Sequence, residues 1–150
     1  MKKVSLFSLL ITLGFLLSAC FHAKDNENLT RSDSGKNMFR LSIQDALADA
    51  RTNGDIDNNI QLSFGDQGHS GRLWTSIKRT NATNKTTKEA CNRAFMSAIL
   101  SLQKRAKEMG KSTVVDIYSY HKKKKFSSDT EFECQDGKLM NAVTLQGRVE

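Results

Sequence analysis

The chain has no proline, one tryptophan, two tyrosines and three histidines in 150 residues. Without proline, no native cis-prolyl bond can hold folding to slow isomerisation. One carboxylate and one histidine in a short turn do not make a metal site, and two isolated cysteines lack Cys or His at ligand spacing, so neither a metal nor a cofactor is expected. No Cys-x-x-Cys occurs, which removes the usual redox-active pair. Long apolar runs are also missing, with one exception. Val4 to Leu17 is broken only by small or hydroxyl residues, and it is too short for an ordinary membrane span.

That run has a basic head, Lys2 and Lys3, and ends in small residues, the parts of a secretory signal over residues 1–19. Leu17-Ser18-Ala19-Cys20 resembles the lipobox of bacterial lipoproteins. The resemblance implies cleavage before Cys20 and a diacylglycerol thioether there, usually with a third, amide-linked chain. Palmitate would be among the acyl groups. Each buried methylene of such an anchor contributes about 0.8 kcal/mol. Phe21, standing where an Asp would favour retention, implies the periplasmic face of the outer membrane.

Removing residues 1–19 takes away two lysines and leaves a net charge of +5. Residues 20–84 are balanced, with eight charges of each sign; residues 85–125 carry eleven basic and three acidic side chains. With Cys20 lipidated, Cys91 and Cys134 remain in an oxidising compartment, and an even remainder there predicts a disulfide.

Residues 20–38 are polar and rich in turn formers. They read as a flexible tether with a root-mean-square reach of roughly 23 Å. Residues 39–150 read as a single domain. Phe39, Leu41 and Ile43 alternate as on a strand; Ala46, Leu47 and Ala50 fall at helical spacing. Ile60, Leu62 and Phe64 alternate again, Gly65 to Gly71 is a glycine-rich turn, and Leu73 to Arg79 is a strand expected to pair back. Thr86 to Glu89 spells a capping box. Cys91, Phe95, Ala98, Leu102, Ala106 and Met109 then mark one helical face. Met96 and Leu100 lie off it, either packing under the N-terminal segment or marking a partner surface. Thr113 to Tyr120 is a strand, with Val115 and Ile117 on one face and Val114, Tyr118 and Tyr120 on the other. Lys122 to Lys125 interrupts it. Phe132 and Cys134 share a face of the next strand, Asp136-Gly137 is a hairpin signal, and Val143, Leu145 and Val149 share a face of the last. The pattern is α+β: one long helix on an antiparallel sheet, a C-terminal helix-strand-hairpin meander, and a disulfide across the helix–sheet interface.

Gly110-Lys111-Ser112-Thr113 spells the tail of a phosphate-binding loop. The first glycine of that motif is Arg105 here, and the order is helix then strand instead of strand then helix. A helix C-terminus presents carbonyls, which repel phosphate. The chain is therefore not expected to be an ATPase; Gly110 reads as a helix cap.

With these elements placed, several blocks stand in order: "IQDALA" (43–48), "FGDQGH" (64–69), "EACNRAFMSAILSLQKRA" (89–106), "VVDIYSYHKKKKFSSDTEFEC" (114–134) and "VTLQGRV" (143–149). Over residues 39–150 the chain resembles a family of small bacterial envelope proteins that carry the label "excinuclease ATPase subunit". The resemblance implies an envelope α+β protein and brings no activity with it. The helix-strand-hairpin end more weakly resembles the periplasmic domain of the Rcs envelope-stress lipoprotein, which has a tether, an α+β domain and disulfides. That likeness points toward sensing.

Two constellations remain. Lys122, Lys123, Lys124 and Lys125 suit an anionic surface: lipid A phosphates, phospholipid headgroups, peptidoglycan carboxylates or an acidic protein partner. They equally suit a solvated edge that discourages strand pairing. The compartment argues against nucleic acid. Asp66, Gln67 and His69 bring an acid, an amide and an imidazole into one turn, a small-ligand corner or a turn built for backbone reasons. Ser127, Ser128 and Asp129 lack a histidine partner, so no catalytic triad is expected. Tyr118 and Tyr120 either form an exposed aromatic patch or cover the second face of the sheet. The expected function is a lipid-anchored periplasmic binding, sensing or envelope-maintenance module without catalysis. The alternative is a small hydrolase or ligand-modifying enzyme using the 64–71 turn. The sequence sets no oligomeric state.

Overall fold

A computed structural model describes residues 29–53 and 55–150; residues 1–28, with the expected signal segment and Cys20, lie outside the described residues. In chain order the elements are β1 (Thr30–Arg31), β2 (Met38–Ser42), α1 (Ile43–Asn53), β3 (Gln61–Phe64), β4 (Leu73–Asn81), α2 (Thr87–Glu108), β5 (Thr113–His121), β6 (Lys124–Phe126), β7 (Glu131–Gln135) and β8 (Met140–Val149). The described residues form a mixed α+β fold, two helices with an eight-stranded sheet.

The long helix α2 begins at its capping box. The Glu89 N–H donates to Thr86 Oγ1 at 3.1 Å, and the Thr86 N–H donates to Glu89 Oε2 at 2.9 Å. Cys91, Phe95, Ala98, Leu102 and Ala106 are buried along one face, as their spacing predicts. Met109, expected on the same stripe, is instead the exposed C-cap. Gly110 follows at φ +65°, and the N–H groups of Gly110 and Lys111 donate to the carbonyls of Lys107 and Ala106. That pair of bonds is the Schellman closure of a helix. It consumes the backbone donors that a phosphate would need.

Phe95 stacks on Phe132 of β7 with centroids 4.2 Å apart, and Phe64 lies 6.1 Å from Phe95. Beside this stack Cys91 and Cys134 form a disulfide with Cα atoms 5.8 Å apart. The shorter helix α1 packs on α2 and buries Ala46, Leu47 and Ala50.

The sheet departs from a simple meander. β8 carries β4 along one side, with β5 and β7 sharing the other. β4 therefore pairs with β8 and not back on β3. β3 instead pairs with β5 in parallel. A parallel pair needs a long crossover, and β4 with α2 supplies it. At Gly147 on β8 a Cβ would lie 3.2 to 3.5 Å from Val114, Ile117 and Leu102, so glycine lets α2 sit close to the sheet.

The body also begins earlier than composition suggests. Residues 29–38, read as tether, include β1 paired on β2; Ser32 and Met38 are buried. Lys122 to Lys125 does not simply interrupt the strand. Lys122 and Lys123 are a two-residue turn, and Lys124 and Lys125 belong to β6, which pairs back on β5. Among the described residues no helix is long and apolar enough to cross a membrane.

Candidate functional site

Strand β5 breaks its own alternation. Its register against β8 shifts between Val115 and Tyr118, and Asp116 sits there at φ +51°. The bulge puts Val114 and Ile117 together in the helix-facing core. The strict alternation expected for Val115 with Ile117 is thereby corrected. A bulge inserts one residue and re-aims a side chain; aspartate is among the few residues that tolerate the left-handed region.

The re-aimed side chain is Asp116, fully buried, which organises the glycine-rich turn. Four donors reach it. The N–H groups of Gln67 and His69 lie 2.9 Å from Oδ1 and Oδ2. His69 Nδ1 lies 2.8 Å from Oδ1 and Arg148 Nε 3.1 Å from Oδ2. Arg148 also donates to the Gly71 carbonyl, closing the far end of the turn. Burial alone would raise the Asp116 carboxyl. The bonds from His69 and Gln67 and the nearby positive charge outweigh it and hold that carboxyl below its ordinary value. The same bond to Asp116 raises the His69 imidazole, against a smaller opposing effect of burial. With Nδ1 committed and the side chain 33% exposed, Nε2 is left to meet solvent or a ligand.

The turn and the lysines, separate in sequence, form one surface. Lys125 Nζ pairs with Asp66 and lies 4.6 Å from the Tyr118 ring centroid. The Asp66 N–H donates to Ser127 Oγ at 2.7 Å. Gln67 Nε2 donates to Ser63 Oγ at 3.2 Å, within the turn's own flank. Lys122, Lys123 and Lys124 are exposed, with no ion pair among the described residues. Lys122 and Lys123 both have positive φ, 48° and 65°, the signature of a tight hairpin turn. Tyr118 is buried, donates to Gln146 Oε1 at 2.9 Å and meets Tyr120 edge-on at 6.4 Å, so it covers the outer face of the sheet.

Asp116 and Arg148 are the site residues that motif reading passed over; Ser127, weighed there only as a triad hydroxyl, instead accepts from the turn at Asp66. One signal was present: an acid in the middle of the apolar run Val114 to Tyr118, where an unpaired charge would be very costly. Among the described residues no three His, Cys, Asp or Glu side chains gather to hold a metal ion. A hollow of about 750 Å³ lies elsewhere, between α1, α2 and the end of β4, and Met96 and Leu100 line it.

A second buried acid lies on β7. Glu133 Oε1 accepts from the hydroxyls of Ser32 and Ser34, its backbone N–H donates to Ser119 Oγ at 2.9 Å, and Oε2 has no hydrogen-bond partner among the described residues. Arg40 stands opposite it across the β2–β7 ladder, with its guanidinium 4.7 Å from the Phe126 ring centroid.

No protein-family model, curated protein or solved structure matches the chain.

Proposed function

We propose that the protein is a lipid-anchored module of the bacterial envelope. Cys20 carries the anchor at the periplasmic face of the outer membrane, and the domain works by binding an anionic envelope component rather than by catalysis. The observation that carries the reading is the β5–β6 hairpin. Three exposed lysines without acidic partners among the described residues stand at its tip, and the hairpin is fastened through Lys125 and Asp66 to the turn that Asp116 pins. A basic tip held this firmly loses little conformational freedom on meeting an anionic surface. Each lysine near such a surface contributes about 1 kcal/mol, and the attraction fades with salt.

Charge reversal of Lys122, Lys123 and Lys124 to Glu, made in the full chain with Cys20→Ala to remove the anchor, tests this. Co-sedimentation with anionic vesicles and with peptidoglycan should fall sharply for the reversal and stay unchanged for His69→Ala. Equal sedimentation of the reversed and parent chains would defeat the proposal.

One observation favours a second reading, hydrolysis at the 64–71 turn. His69 paired to a buried carboxylate is the geometry of an oriented general base. Under that reading His69→Ala abolishes function and the lysine reversal is silent.

A further inference from the structure

β4 is a long outer strand. It bonds to β8 from Leu73 through Asn81 without a bulge. Among the described residues no strand pairs with its other side. The remaining outer strands are short: two residues in β1, four in β3 and three in β6. Shortness, proline and bulges are ways in which an edge is kept from pairing. β4 has nine residues, no proline and no bulge; the protection it does carry is charge, at Lys78 and Arg79.

Exposed apolar side chains gather at the same edge. Ile77 is 56% exposed on the outer face. Met140, opposite Asn81, is exposed on that face too, and the exposed Leu139 accepts the Ala82 N–H just past the strand. On the helix face, Leu100 and Thr80 line the same 750 Å³ hollow.

We propose that this edge joins two copies of the chain, β4 to β4, antiparallel about a twofold axis at Ile77, to make one continuous sheet. The charges, together with the length of strand that can pair, select the axis. Residues opposite each other in an antiparallel pair share a face, so a twofold axis must pass through a residue. An axis at Lys78 or Arg79 sets a positive charge against its own copy, and one at Thr75 sets Arg72 against Lys78. Like charges placed opposite one another destabilise a sheet. The axis at Ile77 sets Arg79 against Thr75 and Lys78 against Ser76, and covers each Ile77 with the other. An axis at Ser76 also avoids like charges but leaves Ile77 against Thr75.

Sedimentation of the full chain in detergent tests this. With rising concentration the chain should pass from monomer to dimer. Thr75→Glu faces Arg79 of the second copy twice per dimer and should tighten the dissociation constant about three- to tenfold. Thr75→Lys should weaken it by a similar factor. Leu73→Glu faces Asn81 here, but would face Arg79 if the axis lay at Ser76, and should change little. A gain from Thr75→Glu cannot come from misfolding. A chain that stays monomeric to about millimolar concentration overturns the proposal. So does a dimer indifferent to both Thr75 variants, or one tightened by Leu73→Glu alone. A purified chain that dimerises only with an extended peptide of another protein overturns it too.

Discussion

Asp116 and Glu133 are carboxylates buried in the same sheet, 0% and 1% exposed, and their surroundings are opposite in kind. Asp116 uses both oxygens on four donors, two of them side chains of His69 and Arg148. Glu133 uses one oxygen on two serine hydroxyls; among the described residues its Oε2 and the Nε of Arg40 opposite have no hydrogen-bond partner. A buried charge is costly unless paired and bonded. At Asp116 the compensation comes from a glycine-rich loop, so acid and loop stabilise each other. At Glu133 the bonding is incomplete, and the strand is held by something else. The next residue, Cys134, ties β7 covalently to α2.

The largest expected effect follows from that tie. Replacing Cys91 and Cys134 by alanine together removes a cross-link over a sequence separation of 43, which the chain-entropy relation values at about 4 kcal/mol. Urea unfolding should report the loss. Hydrogen exchange should locate its local part in β7 and around Ser32, with residues 65–71 keeping their protection relative to the global limit. Equal local loss at both acids would remove the contrast between them. Next in size, Asp116→Asn should cost about 3 kcal/mol, because it aims an amide at four donors and leaves Arg148 without its counter-charge. Glu133→Gln keeps an acceptor for the serines and should cost about 1 kcal/mol or less. The reverse ranking in urea would show that the bonds at Asp116 do not carry the weight assigned to them.

Backbone strain sharpens the same contrast. Asp116 occupies the left-handed region and gains four bonds there. Lys122 and Lys123 occupy it in the hairpin turn with no comparable bonding. Asn-Gly is the pair this turn favours, so Lys122→Asn with Lys123→Gly should stabilise the fold by about 1 kcal/mol, read as a higher melting temperature. The same variant should weaken binding to anionic vesicles, as expected if the lysines are kept for their charge at a cost in stability.

Long-period features were legible in the sequence. The capping box at Thr86, the stripe from Cys91 to Ala106, the Gly110 cap and the Cys91–Cys134 pairing all rest on local spacing or on simple counting. The failures share a cause, which is that sequence order hides which strands become neighbours. Leu73 to Arg79 reads as the return arm of a hairpin because Gly65 to Gly71 looks like its turn. That turn is instead shaped by Asp116 and Arg148, 47 and 77 residues from the groups they hold. A one-residue bulge is equally invisible to a period-two reading of Val114 to Tyr120. Ser32 reads as tether because its polar neighbours give no hint of a buried Glu133.

The smallest effect is the most specific to the Asp116 side, because it depends on proton exchange at one bonded pair. His69 has its pKa raised from 6.5 chiefly by the bond to Asp116. Its contribution to stability is therefore fully present below 6.5 and fades as pH rises through the raised value. Asp116 has its pKa lowered from 3.8, so its contribution is fully present above 3.8 and is lost as pH falls through the lowered value. The pair supports the fold best between these two limits. Stability measured by urea across pH should decline on the alkaline side in the parent chain, and the part of that decline due to the pair should vanish in His69→Gln. The imidazole resonances of His69 should titrate above 6.5 in the parent and return toward 6.5 in Asp116→Asn. If they titrate at the ordinary value in both, the 2.8 Å contact does not hold in solution. Glu133→Gln should leave that titration where it is, since the two acids share no bonding partner.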